Sequence, residues 1–308
     1  MKLTRRLVLA GSAAALASVA LPVTARRVWA VTTAEFGDIR IDSLSDGWLE
    51  LPADMTLSAL PEDARDQLVA DYQIPTSGAI ESPLNVTLMR QGDRVVLFDC
   101  GSGPDFVPTA GKLADALSAV DVAPEDVTDV LFTHAHPDHL WGILDEFDEP
   151  LFANARLQMG KAERDYWADP ATVDTIGAER QSFAVGAARR IEALGDRLEV
   201  FDEGAEVLPG VVAVATPGHT PGHTSYAVGT PDSGIFVTGD FITMVLSFAR
   251  PDIGTSTDQD PALAAATRAA TLARLADEKW PILGYHLPDG GMGRAERDGD
   301  AFKFVAGA

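Results

Sequence analysis

Cysteine and basic residues are scarce in this 308-residue chain, and each scarcity excludes something. There is one cysteine, Cys100, so no disulfide forms within the chain whatever the compartment. It follows the β-branched run Arg94-Val-Val-Leu-Phe-Asp and reads as a small buried hydrophobe rather than a nucleophile. Lysine and arginine number 24 against 46 acidic residues, for a net charge of −22. Five of those cations (Lys2, Arg5, Arg6, Arg26 and Arg27) fall in the first 30 positions, which hold no acid. The rest of the chain therefore repels phosphate backbones and anionic lipid, which argues against nucleic acid as a partner. Apolar runs long enough to span a bilayer are missing after residue 23.

The one long apolar run, residues 7–23, follows Arg5-Arg6 and ends in small residues at Val23-Thr24-Ala25, with a second candidate cleavage point at Val28-Trp29-Ala30. A basic start, an apolar middle and small residues at the end make an export signal, and the arginine pair resembles the twin-arginine (Tat) type. Residues 1–30 are expected to be that signal and 31–308 the functional domain. The mature protein is then periplasmic or secreted, without stable membrane association.

Residues 31–308 show no linker, low-complexity tract or fixed repeat. GDIRIDSLSDGWLELP alternates like strands, residues 61–73 read as a helix, and NVTLMRQGDRVVLFDCG reads as a hairpin turning at Gln91-Gly92-Asp93. Helical spacing recurs at 109–120, in KAERDYWAD, at 174–195 and, behind a proline, at 261–278. PILGYH is expected to be the last strand. Strands thus fall into two β-rich blocks interleaved with helices, which predicts a two-sheet core covered by helices.

Histidine is also rare, and its placement is not random. The six are His134, His136, His139, His219, His223 and His286, each near an expected strand end with Gly, Pro or Asp within three residues. Rigid sheets present functional loops at such ends. In THAHPDHLWG (133–142), His134 and His136 are two apart on an extended segment, and a turn into helix after Pro137 brings Asp138 and His139 alongside. Imidazole and carboxylate suit Zn²⁺ first, with Mn²⁺ or Fe²⁺ as other fits. One such cluster cannot complete two coordination shells. His219, Asp240 and His286, each after an apolar strand, are the candidates for the rest, and a carboxylate such as Asp240 is able to bridge two cations.

The HxHxDH motif, TPGHTPGH (216–223), TGD (238–240) and a late Gly-Tyr-His together resemble the metallo-β-lactamase superfamily over roughly residues 80–290. The resemblance implies an α+β fold, a four-layer αββα metallo-β-lactamase sandwich with two divalent metal ions at one edge. By position it assigns His134, His136 and His219 to one metal, Asp138, His139 and His286 to the other, and Asp240 to the bridge. Asp99, in LFDCG, matches a strand-end aspartate that orients the ligand loop. His223 is expected to support by hydrogen bonding rather than to ligate.

A bridging hydroxide between two such cations is a nucleophile at neutral pH, and the metals act as Lewis acid. The expected chemistry is hydrolysis of a neutral ester or lactone, with Asp240 and Asp138 as the carboxylates that serve it. The carboxylate at 240 separates the chain from the broad-spectrum β-lactamases, and no basic glutathione site appears near the C-terminus. Where resembling acyl-homoserine lactonases carry tyrosine, three residues past the bridge, this chain has Thr243. GDFITMVLSFARPDI, GYHLPDGGMG and ERDYWADPATVD are more similar to the exported branch containing methyl parathion hydrolase. That makes an organophosphate triester hydrolase the alternative, and an iron-dependent redox member or a non-catalytic metal-binding protein the alternatives of another class. Trp141, Trp167, Phe241, Thr243 and Phe248 are the pocket candidates for a small, partly apolar substrate, each with core packing as the other reading. By analogy with that branch, a homodimer is expected.

Overall fold

The computed structural model describes residues 32–145 and 147–307; the export signal expected at 1–30 lies outside them. The first sheet holds β1 (Thr32–Phe36), β2 (Ile39–Pro52), β3 (Ala79–Gln91), β4 (Arg94–Phe98), β5 (Asp129–Phe132), β6 (Arg156–Gly160) and β7 (Leu198–Phe201), side by side in chain order. β1 to β4 pair antiparallel and β4 to β7 parallel. The second sheet holds β8 (Glu206–Leu208), β9 (Val211–Ala215), β10 (Thr224–Thr230), β11 (Ser233–Val237), β12 (Pro281–Leu283), β13 (Met292–Asp298) and β14 (Ala301–Ala306), again in chain order. Only β11 and β12 are parallel there.

The helices are α1 (Ala53–Leu57), α2 (Glu62–Tyr72), α3 (Leu113–Ser118), α4 (Pro137–Leu140), α5 (Lys161–Ala168), α6 (Thr172–Thr175), α7 (Gln181–Leu194), α8 (Leu246–Ala249) and α9 (Pro261–Glu278). Among the described residues no helix is long and apolar enough to cross a membrane.

Two-residue periodicity sorts the strands into layers. Leu88, Leu97, Val130 and Phe132 join α3, α5 and α7 in an outer core, while Met89, Val96, Phe98 and Leu131 turn to the other face. There they meet Val211, Ala213, Tyr226, Val228, Ile235 and Leu283 of the second sheet. Phe236 and Ile282 point outward again and pack with Leu272 and Leu275 of α9. Both faces of the central strands are covered, which is why they read as nearly continuous apolar runs. The result is the expected αββα sandwich.

Several details differ from the sequence reading. The helix expected over 174–195 is interrupted at Gly177 (φ 101°), and its main body, α7, begins only at Gln181. β12 is not the last strand, because β13 and β14 form a further hairpin whose register pairs Asp298 with Ala301. The six charged side chains between 294 and 303 disguise its alternation, although Gly299-Asp300 marks the turn. The helix expected over 109–120 contracts to α3, since Gly111 sits at φ 74° before it.

Tyr226 crosses the inter-sheet core. Its ring lies 5.2 Å from that of Phe98, and its hydroxyl donates to the Phe132 carbonyl at 2.6 Å, just ahead of the histidine loop. Tyr226→Phe keeps the packing and orphans only that carbonyl, so chemical denaturation should show a loss of about 1 kcal/mol.

Candidate metal centre

Strands from both sheets end at one edge, and the histidine loops grow from those ends. All four residues of β5 are buried, and His134 to His136 follow as extended chain. His136 is extended at φ −64°, ψ 159°, and Pro137 opens the short α4, which swings Asp138 and His139 back toward His134. The loops after β9, β11 and β12 bring His219, Asp240 and His286 to the same place. Three groups of ligand atoms result, each lying within 4.8 Å of one another: His134, His136 and His219; His134, His139 and Asp240; Asp138, His139 and His286.

Asp240 stands between them. Its Oδ2 lies 3.4 Å from His219 Nε2 and 3.0 Å from His286 Nε2, and its Oδ1 approaches His139 Nε2 to 3.3 Å. His219 Nε2 is 2.9 Å from His136 Nδ1, and Asp138 Oδ2 is 3.4 Å from His286 Nε2. All seven side chains are buried. Among the described residues, the Nε2 atoms of His134, His136 and His139 and Asp240 Oδ1 have no hydrogen-bond partner. Leaving four buried polar atoms unsatisfied is costly, and a convergent set of imidazole nitrogens and carboxylate oxygens is what divalent cations take. The residues present therefore fit two such ions.

Charge is polarised across the cluster. Burial and neighbouring imidazoles hold His134 and His136 well below the usual histidine range. Burial also works against a charge on His286 and His139. Asp240 and Asp138 outweigh it, raising His286 to about 10 and His139 well above its ordinary value. These side chains by themselves offer two neutral imidazoles on one side and two protonated ones against two carboxylates on the other.

Around this set the polar groups are closely tied. Asp99, at φ 65°, accepts Thr133 N–H at 2.7 Å and the Thr133 hydroxyl at 2.8 Å, and its Oδ2 lies 2.7 Å from His139 Nδ1. Both nitrogens of His223 are engaged: Nε2 accepts Asp240 N–H at 2.8 Å, and Nδ1 pairs with the Thr216 hydroxyl at 2.8 Å. Burial brings its pKa down to about 3, so it is the neutral acceptor that this bond requires.

Three supporting residues escaped the sequence reading. Glu163 of α5 is fully buried and accepts four donors: Ala135 N–H at 3.0 Å, Trp167 Nε1–H at 2.6 Å, the Thr220 hydroxyl at 2.8 Å and Gly222 N–H at 3.0 Å. It thereby joins the His134–His136 loop to the His219 loop. Gly222 permits the approach, because a Cβ there would lie 2.1 Å from Glu163 N. Asp46 accepts Ser102 N–H at 2.9 Å, Lys112 N–H at 2.7 Å and Leu113 N–H at 2.8 Å. Tyr285 stacks on His139 with ring centroids 3.9 Å apart and donates to the Asp138 carbonyl at 2.6 Å.

The aromatic wall is not the one expected. Phe241 packs near Phe236 and Phe248 near Phe304, both deep in the core beneath α9. Apolar alternation around 241–248 simply fills the outer layer, so these two are core residues and not pocket lining. Trp167 is also fully buried; it meets the edge of the His136 ring at 5.6 Å and backs that histidine from behind. Trp141 lies flat on α7 at Gly186, with the Arg190 guanidinium 4.4 Å above its ring. Thr243 is buried, and its hydroxyl has no hydrogen-bond partner among the described residues. Among the half-buried aromatics, Phe183 lies 5.8 Å from His136, and Phe106 lies 5.9 Å from Phe183 and 5.6 Å from Trp141.

Glu163→Ala strands those four donors in a dry interior, at ~1–3 kcal/mol each. Denaturant titration should show a loss of at least about 3 kcal/mol, against near-neutrality for alanine at the exposed Glu179.

Comparison with known proteins agrees with this architecture. The structure superposes on a dizinc quorum-quenching lactonase, AidC, with a TM-score of 0.84 at 23% identity, covering 90% of this chain and 97% of that one. The hydrolase AbOPH, of the beta-lactamase superfamily, gives a TM-score of 0.84 at 26% identity, covering 92% and 99%. In sequence, a hydroxyacylglutathione hydrolase of Fuscovulum blasticum is 27% identical over 157 residues, which is 51% of this chain and 50% of that protein. The chain spans only 61% and 50% of the length of the curated relatives it matches. The model of the metallo-beta-lactamase superfamily matches residues 80–286, the stretch that holds every ligand-type residue of the cluster, and the chain belongs to that superfamily.

Proposed function

We propose that this protein is an exported hydrolase that uses two divalent metal ions, Zn²⁺ first, to open a neutral, partly apolar ester or lactone. The observation that carries this reading is the buried convergence of five imidazoles and two carboxylates, four of whose polar atoms have no hydrogen-bond partner among the described residues. His134, His136 and His219 would hold one ion, and Asp138, His139 and His286 the other, with Asp240 touching both groups. When bound, such a pair of ions supplies Lewis acidity and activates water near neutral pH.

The chain's own groups supply the rest. Burial opposes ionisation of Asp240, but His286 and His139 hold its carboxyl well below the usual range. It is therefore an unprotonated acceptor at neutral pH, with Oδ1 3.3 Å from His139 Nε2 and Oδ2 3.0 Å from His286 Nε2. Phe183 and Phe106 offer an apolar face beside His136 for the non-reacting part of the substrate. A chain of net charge −22 disfavours phosphate monoesters and anionic glutathione thioesters in comparison with neutral substrates. Export rests on residues 1–30 of the sequence.

Elemental analysis of the purified protein should find close to two ions per chain. Asp240→Ala and His219→Ala should each cut kcat/KM by more than the ~10–100-fold typical of residues that only orient ligands. Metal uptake near pH 7 should expel protons from His139 and His286, at least about two per chain by calorimetry in buffers of different ionisation enthalpy. Affinity should climb with pH until His286 titrates near 10. Uptake without proton release would contradict the charge distribution described above.

A panel of acyl lactones, aryl esters and phosphotriesters, run separately with Zn²⁺ and Mn²⁺, tests the substrate class. Lactones or aryl esters should be turned over best. A clear preference for phosphotriesters would move the assignment to organophosphate hydrolysis on the same machinery, and inertness toward all three would refute it.

A further inference from the structure

One charged pair beside the centre has no part in the reaction just described. Arg268, in the middle of α9, has none of its surface exposed, a rare setting for arginine. Its guanidinium reaches three segments: Nε donates to the Phe241 carbonyl at 2.8 Å, Nη1 to the Ile253 carbonyl at 2.8 Å, and Nη2 to Asp258 Oδ2 at 3.0 Å. Asp258 is buried too, and its Oδ2 also accepts Thr255 N–H at 2.7 Å. Its other oxygen, Oδ1, faces His219 Nδ1 at 3.4 Å. The flanking chain is joined to the same loop. Gln259 N–H donates to the His219 carbonyl at 3.1 Å, Asp260 N–H to that of Gly218 at 2.9 Å, and the Thr267 hydroxyl to that of Pro217 at 2.8 Å.

A buried ion pair is a weak source of stability, since apolar replacements often serve as well or better. What its oxygen touches is the better explanation. His219 presents Nε2 toward His136 and Asp240. An imidazole that offers the Nε2 lone pair carries its proton on Nδ1, and a carboxylate beside Nδ1 selects that tautomer and fixes the ring plane. Arg268 offsets the charge of that carboxylate from the far side. It also holds the carbonyl of Phe241, the residue directly after Asp240.

We propose that Asp258 and Arg268 are a positioning pair for the metal centre. Asp258 sets the tautomer and orientation of His219, and Arg268 holds both Asp258 and the Phe241 carbonyl, so that His219 and Asp240 keep their separation. This rests on the reading of His219 and Asp240 as metal ligands.

The zinc-loaded protein tests it directly. Long-range ¹H–¹⁵N correlations of the histidine rings should show His219 protonated at Nδ1, assigned by its loss in His219→Ala; an Nε2–H tautomer overturns the proposal. Asp258→Asn and Asp258→Glu are then titrated against a chromophoric zinc chelator, and their cobalt-loaded forms compared by visible absorption. Asp258→Asn should weaken metal retention about 10–100-fold and shift the cobalt bands, and Asp258→Glu should recover part of both, with the far-ultraviolet dichroism of the parent retained throughout. Parent-like affinity and bands in Asp258→Asn overturn the proposal; should that variant not fold, the tautomer in the unmutated protein decides. If His219→Ala loses metal while Asp258→Asn does not, only the positioning role is wrong. If His219→Ala keeps both ions at parent affinity, the metal-centre reading itself fails.

Discussion

Buried carboxylates, filled by donors from the loops around them, hold the ligand-bearing loops in place. Asp99 captures Thr133 and His139, Glu163 joins Ala135 to Thr220 and Gly222, and Asp46 gathers the 102–113 loop behind them. A carboxylate is suited to this because two oxygens accept several N–H groups at once, and each charge-assisted bond outweighs a neutral one. Loops cannot use the regular ladder that satisfies strands, so some other acceptor has to take their amides. The sheets bring the strand ends to one edge, and the acids convert those ends into a site of fixed geometry.

That solution concentrates negative charge indoors. Asp46, Asp99, Asp138, Asp240, Asp258 and Glu163 are all buried. Burial raises Asp46, Asp99 and Glu163 despite their donors, so the hydrogen bonds offset the desolvation only in part. At Asp138 and Asp240 the opposing charge comes from His139 and His286. Two divalent ions would replace those imidazolium charges with larger ones, and the same residues would then act as neutral ligands. The interior acidity and the metal-binding capacity are one feature.

How much of this was legible in the sequence follows from how far each signal reaches along the chain. The ligand set was readable because five of the chain's six histidines belong to it, because His219, Asp240 and His286 each follow an apolar run, and because His134-Ala-His136-Pro-Asp138-His139 is local. The sandwich was readable from strand periodicity. Glu163 was not, since on α5 it looks like any exposed helix charge; only Trp167 four residues on, the same helix face, hints that the face is buried. Asp46 sits in β2, and the amides that its carboxylate accepts lie more than 50 residues away. Phe106 comes from the loop after β4 and Phe183 from the first turn of α7, and they meet only in three dimensions, whereas Phe241 and Phe248 drew attention by closeness in sequence to Asp240 and proved to be core. Proximity along the chain is a poor guide to a pocket wall built by several loops.

The same reasoning explains why the aromatic wall stands on the His136 side. On the opposite side Tyr285 covers His139, and the Ser82 hydroxyl and Pro83 carbonyl lie 3.1 Å and 3.0 Å from His286 Nδ1, so that flank is closed by protein. Behind His136, Trp167 and Glu163 fill the space. Phe183 and Phe106 keep part of their surface exposed, so this is the flank on which an apolar group can lie against rings while its reacting carbon meets the cluster. The proposed ester or lactone, carrying one apolar arm, would suit such a one-sided approach, because the arm would give up water on the rings without any charged partner to recognise it. Selectivity would then come from the shape of the Phe106–Phe183 face, and the chemistry from a cluster whose geometry the buried acids have already set.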